Sequence, residues 1–103
     1  MSLVHLPPYS VRFDPTILTA GVDWGISAYN VPALWSTTKG EGVTVAVIDS
    51  GIAKHQHLVC NTHVNFTTDS DEYDTLGHGT HVAGIIGATG GRSKGIAPEA
   101  KLM

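Results

Sequence analysis

The alternation of apolar and polar segments along these 103 residues predicts an α/β fold. Three observations carry that expectation. Val43-Thr44-Val45-Ala46-Val47-Ile48 is uncharged and dominated by β-branched side chains, as expected of a parallel-sheet strand covered on both faces. A long polar stretch follows, and then residues 78–88 form an apolar, small-residue segment with helical character. Residues 97–103 enter another apolar run, so the order is strand, loop, helix, strand.

Each element can be justified in turn. Residues 1–22 read as an arm, because Pro7 and Pro8 fix their own torsions and push their predecessors toward extended backbone. Between residues 23 and 35, the spacing of Trp24, Ile26, Val31, Leu34 and Trp35 predicts a short helix or two helical turns. Pro32 either breaks that segment or sits in a first turn capped by Asn30. Gly40-Glu41-Gly42 then turns the chain into the strand at 43–48. Val64-Asn65-Phe66 reads as a further short strand. The acidic stretch with Asp69, Asp71, Glu72 and Asp74 reads as a solvated surface loop, in preference to a cation site. The segment at 78–88 contains Gly79, Gly84 and Gly87, each costing a helix about 1 kcal/mol relative to alanine. Such a helix is selected for close approach to a sheet, and Gly90-Gly91 ends it.

Composition excludes several classes of function. Hydrophobic residues make up 42% and charged residues 15% of the chain, which places it among globular proteins. A net charge of -3 and a pI near 6.0, with no cluster of Lys or Arg, argue against nucleic-acid binding. No apolar run approaches the length of a membrane span, so no membrane partner is expected. The amino terminus has neither the basic region nor the apolar stretch of a secretory signal, and the lone Cys60 cannot form an internal disulfide. Both features favour the cytoplasm, with secretion the alternative if a signal has been removed.

Two residues stand out chemically. Asp49 directly follows the 43–48 strand, at the carboxyl end where α/β sheets place their sites. It could equally cap the turn at Ser50-Gly51 through local backbone. His78 opens the helix between Gly77 and Gly79, which leaves room beside its ring; alone, it could be an ordinary loop histidine.

The combination decides between these readings. Val45-Ala46-Val47-Ile48-Asp49-Ser50-Gly51-Ile52 and Gly77-His78-Gly79-Thr80-His81-Val82-Ala83-Gly84 resemble the aspartate and histidine motifs of subtilisin-like serine proteases, in that family's order of Asp, His, Ser. Gly95-Ile96-Ala97-Pro98-Glu99-Ala100 resembles the family's next stretch, which leads into a sheet strand. The resemblance implies a three-layer parallel-sheet fold, of which residues 23–103 form the amino-terminal portion. It also implies hydrolysis of peptide or protein substrates. His78 would be the general base and Asp49 the carboxylate that orients it, with His81 in a packing role.

The resemblance has gaps. No nucleophile motif and no asparagine-bearing oxyanion segment occur in these residues. Ser50 adjoins Asp49 and should not reach the far side of His78, while Ser93 has no motif around it. The chain is therefore expected to be an inactive amino-terminal piece that needs the remainder of its domain. It should self-associate when alone, because its last strand would offer an open edge. The alternative is a non-catalytic binding or assembly domain on the same scaffold.

The family's calcium ligand after the aspartate motif is replaced by His57, so no calcium and no other cofactor is expected. The histidines at 55, 57, 63, 78 and 81 lack a recognised zinc spacing. Leu6-Pro7-Pro8-Tyr9 resembles the amino-terminal extension of intracellular subtilisins, which implies an inhibitory arm; the other reading is a simple extended tail.

Overall fold

The computed structural model describes residues 24–70, 73–90 and 94–103. The expected arm at 1–22, the loop residues Asp71 and Glu72, and Ser93 lie outside them. Helix α1 (Trp24–Ala28) leads through a turn into a 3-10 helix (Val31–Ser36). Strand β1 (Thr44–Val45), helix α2 (His78–Gly87) and strand β2 (Lys101–Leu102) follow.

Pro32 falls in the first turn of the 3-10 helix and Asn30 at its cap position. Asn30 serves there through its backbone, at φ 56°, and not through a side-chain hydrogen bond. That left-handed conformation is one that asparagine tolerates better than most residues. Trp35 Nε1 donates to the Ile96 carbonyl at 2.9 Å, tying this helix to the segment that leaves α2.

β1 and β2 pair in parallel, with Thr44 opposite Lys101 and Val45 opposite Leu102. Parallel neighbours require a crossover, and α2 lies within that connection. The ladder extends past the named strands, since Val47 N donates to the Met103 carbonyl at 2.7 Å. On its other side, Leu102 bridges Cys60 in parallel, so β2 lies between two chain segments.

The expectation of a strand covered on both faces needs correcting. Val45 and Val47 are half-buried, but Val43 is exposed and Ile48 is 93% exposed. Among the described residues α2 covers one side of the small sheet, and nothing covers the opposite side chains. Val64-Asn65-Phe66 is not a strand either, and Phe66 is 89% exposed. The Asn65 side chain accepts from Thr67 N and Thr67 Oγ1 and donates to the Asp69 carbonyl. Such local side-chain bonds offer backbone an alternative to a ladder, and here the turn wins.

The core explains the composition of α2. Its buried residues are Gly79, Ala83 and Gly87, four apart and hence on one face. That small-residue face lets the helix approach Leu102, Ile52 and the half-buried Val45, Val47, Leu58 and Cys60, with Ile86 of the helix packed beside them. A Cβ on Gly87 would lie 3.3 Å from Leu102 Cδ2. Gly84 points elsewhere and meets no such neighbour, so only two of the three helix glycines are explained by close approach. Full burial of a side chain such as Ile52 or Leu102 stabilises by about 1.5–3 kcal/mol. The helix ends at Gly87, ahead of Gly90. Gly95, Ile96 and Ala97 N–H groups then donate to the carbonyls of Ala88, Ile85 and Ile86, satisfying the carboxyl end of α2.

Candidate active site

Asp49 sits just beyond the β1 ladder, and His78 is the first residue of α2. The fold brings them together across the turn at 49–51. Gly51 adopts φ 115°, which admits the sharp reversal, and its backbone abuts Gly79. A Cβ on Gly79 would collide with the Gly51 carbonyl oxygen. Glycine at 79 therefore sets how closely the helix start approaches the aspartate turn.

His78 Nδ1 lies 2.9 Å from each carboxylate oxygen of Asp49. An ionised carboxylate only accepts, so Nδ1 carries the proton and the neutral ring keeps its lone pair at Nε2. The Asp49 side chain is 21% exposed, while that of His78 is 68% exposed. The ring is thus held on its inner edge and open on its outer edge. Asp49 Oδ1 also accepts from Ser50 N at 2.6 Å. The His78 hydrogen bond, then the Ser50 backbone hydrogen bond, hold the Asp49 carboxyl below its ordinary value.

The Ser50 hydroxyl is engaged with Asp74 and the start of α2. Its Oγ donates to Asp74 Oδ1 at 2.9 Å and accepts from Gly79 N at 2.9 Å. His81 does not take the packing role expected of it: it is exposed and borders an apolar groove with Ile26, Tyr29, Ile85 and Ile96. Its position three residues after His78 puts it on the outer side of α2, away from the glycine-alanine face. His55 and His57 rings face one another at 5.6 Å, and His63 meets the Tyr73 ring edge at 5.4 Å. Among the described residues no three His, Cys, Asp or Glu side chains converge as a metal site would require.

Asp74 is the residue that sequence reasoning misplaced. It is not a freely solvated loop acid. Oδ1 accepts from Ser50 Oγ, Leu76 N and Gly77 N at 2.9, 3.0 and 2.9 Å. Oδ2 accepts from Thr80 N at 3.0 Å and Thr80 Oγ1 at 2.6 Å. An acidic residue shortly before Gly77 and the helix start was an available sign, since amino-terminal N–H groups of helices need acceptors. The Thr80 hydroxyl, followed by the Gly77 backbone N–H, lowers the Asp74 pKa well below the ordinary carboxylate value.

These two depressed carboxyls fix a direction for pH dependence. Each folded-state pKa lies below its unfolded value, so each contributes stability that is complete above the ordinary value of 3.8. That stability is lost as pH falls below 3.8 toward the folded values. Urea midpoints of the intact protein should therefore fall between pH 4 and lower pH, and fall less steeply in Asp74→Asn; equal slopes would remove Asp74 from the effect.

The parallel β–α–β arrangement thus carries a paired Asp and His at its carboxyl end. Residues 40–103 match the model of the subtilase family (peptidase S8), and the chain belongs to that family. It is 39% identical over 110 residues to an intracellular serine protease of Paenibacillus polymyxa, covering 97% of this chain and 33% of the relative. It is 38% identical over 100 residues to the minor extracellular protease Epr of Bacillus subtilis (strain 168), covering 86% of this chain and 16% of the relative. The chain thus spans a third or less of either protein. Among solved structures, the MycP3 protease from the type VII (ESX-3) secretion system superposes with a TM-score of 0.72 at 36% identity. That match covers 79% of this chain and 23% of the other. The fold is accordingly the α/β subtilase fold, represented by part of its parallel sheet and helices. No helix among the described residues is long and apolar enough to cross a membrane.

Proposed function

We propose that the protein is a subtilisin-type serine endopeptidase in which His78 is the general base and Asp49 its orienting carboxylate. The observation that carries this reading is the ring geometry: Nδ1 is held by Asp49 while the side chain is 68% exposed, which leaves Nε2 for a serine. A serine hydroxyl placed against Nε2 would lose its proton to His78 as Oγ attacks the scissile carbonyl. The same proton would then pass from Nε2 to the leaving amine, and water would repeat the cycle on the acyl-enzyme. Asp49 keeps the tautomer correct and stabilises the imidazolium between those transfers.

Ser50 is not that nucleophile, because its hydroxyl already donates to Asp74 on the other side of the turn. The nucleophile in this reading lies outside the 103 residues, and the chain alone is inactive. Peptides and proteins are the substrates. The chemistry needs only side chains and water. Calcium is not invoked, because the expected ligand position holds His57, whose carbonyl oxygen is engaged by Thr89 N and Oγ1 at 2.8 and 3.3 Å. The free Cys60 and the motif at Leu6–Tyr9 support a cytoplasmic enzyme with an inhibitory arm.

Hydrolysis of an unstructured protein substrate by the intact protein, abolished by a serine-directed phosphonate, is the expected result. Intact protein that binds such substrates without cleaving them would instead favour a binding or assembly role for the scaffold.

A further inference from the structure

We propose that Asp74 is a positioning residue that sets the Asp49–His78 distance, acting through Ser50 and Thr80. The inference rests on the reading of His78 as base, and goes beyond it by assigning a role to a residue that touches neither partner.

The geometry is a two-sided clasp. Asp74 bonds the aspartate turn through Ser50 Oγ and the start of α2 through Gly77 N, Thr80 N and Thr80 Oγ1. Leu76 N supplies a further bond from the chain between. Because a carboxylate can only accept, both hydroxyls must spend their single proton on it. Their lone pairs then face the opposite element. Ser50 Oγ, on the turn, accepts Gly79 N from the helix at 2.9 Å. Thr80 Oγ1, on the helix, accepts Ala53 N from beyond the turn at 2.9 Å. Charge on Asp74 thus fixes the direction of both cross-links between the segment that carries Asp49 and the helix that carries His78. Gly79, with no Cβ to intervene, allows the resulting contact.

An amide cannot perform this task. If Asn replaced Asp74, one of its two positions would be an NH2 group facing N–H and O–H donors. With nitrogen at the Oδ2 position, the Thr80 hydroxyl could turn to accept, but the Thr80 N–H would face a donor. With nitrogen at the Oδ1 position, the N–H groups of Leu76 and Gly77 would face a donor. Either arrangement loosens the clasp while conserving side-chain volume. Loss of the same clasp from the other end follows from Thr80→Val, whereas Thr80→Ser retains the hydroxyl.

The test compares Asp74→Asn, Thr80→Val and Thr80→Ser in the intact protein, each shown to be folded by its thermal transition. Two readouts are taken: the His78 Nδ1–H signal and ring tautomer by 15N-edited NMR, and kcat and KM for peptide hydrolysis. Asp74→Asn and Thr80→Val should both lose or broaden the Nδ1–H signal. Both should lower kcat by about 10²-fold, the cost of misplacing a reacting group by roughly 1 Å. KM should change by no more than about 2-fold, as expected for an effect confined to the transition state. Thr80→Ser should recover the signal and most of kcat. Folded variants with the wild-type Nδ1–H signal and wild-type kcat would overturn the proposal, as would a loss seen equally in Thr80→Val and Thr80→Ser. If Asp74→Asn does not fold, the Thr80 pair decides. If the wild-type protein cleaves no peptide, the protease reading fails separately, and the Nδ1–H comparison alone decides whether Asp74 positions the pair.

Discussion

His78→Ala in the intact protein is expected to lower kcat for peptide hydrolysis by about 10⁶, a magnitude measured on a subtilisin itself and carried over to this relative. The geometry explains why no neighbour would compensate. His78 is flanked by Gly77 and Gly79, which offer no side chain, and His81 lies on the outer side of α2 beside the apolar groove. The imidazole is also mostly exposed, so its removal should leave the urea midpoint close to that of the wild type. A large loss of kcat in a protein of unchanged stability would separate the chemical role from a structural one. Retention of more than a tenth of the activity would place the base elsewhere.

Asp49→Asn should lower kcat by about 10⁴ with the backbone unchanged, again a figure established for Ser-His-Asp sites and not read from this chain. Here the two bonds from His78 Nδ1 both end on the Asp49 carboxylate. An amide in its place can turn its NH2 toward the ring, which favours the tautomer with hydrogen on Nε2. That tautomer has no lone pair facing the serine position. The Ser50 N–H, at 2.6 Å from Asp49 Oδ1, would hold the single amide oxygen and so leave the NH2 for the ring. Kinetics and 15N-edited NMR on the same sample should show the rate loss together with a proton on His78 Nε2. A rate loss with the proton still on Nδ1 would mean that Asp49 acts by charge alone.

Much of the site was legible in the sequence because it is written in contiguous motifs. Asp49 follows a run of β-branched residues, and His78 opens a helix whose glycines and alanine are four apart; both patterns survive folding. The close approach of α2 at Gly79 and Gly87 could be anticipated, because glycine costs a helix stability and small side chains admit a near neighbour. Other features depended on what the chain meets after folding. Whether Ile48 is covered is a matter of which strands flank β1, and no local pattern records that. Val64-Asn65-Phe66 had strand propensity, but the Asn65 side chain captured Thr67 and Asp69 instead. Asp74 stands among acidic neighbours that predict solvated charge. Its donors come from Ser50, Leu76, Gly77 and Thr80, and Ser50 is distant in sequence. His81, expected in a packing role, is carried by the turn of the helix to the open side.

The most direct measurement is mass-spectrometric mapping of a fluorophosphonate label on the intact protein, beside His78→Ala under the same conditions. The Asp49–His78 geometry predicts one labelled serine, distinct from Ser50 and Ser93, whose labelling disappears when His78 is replaced. Labelling of Ser50 or Ser93, or labelling that persists in His78→Ala, would contradict it.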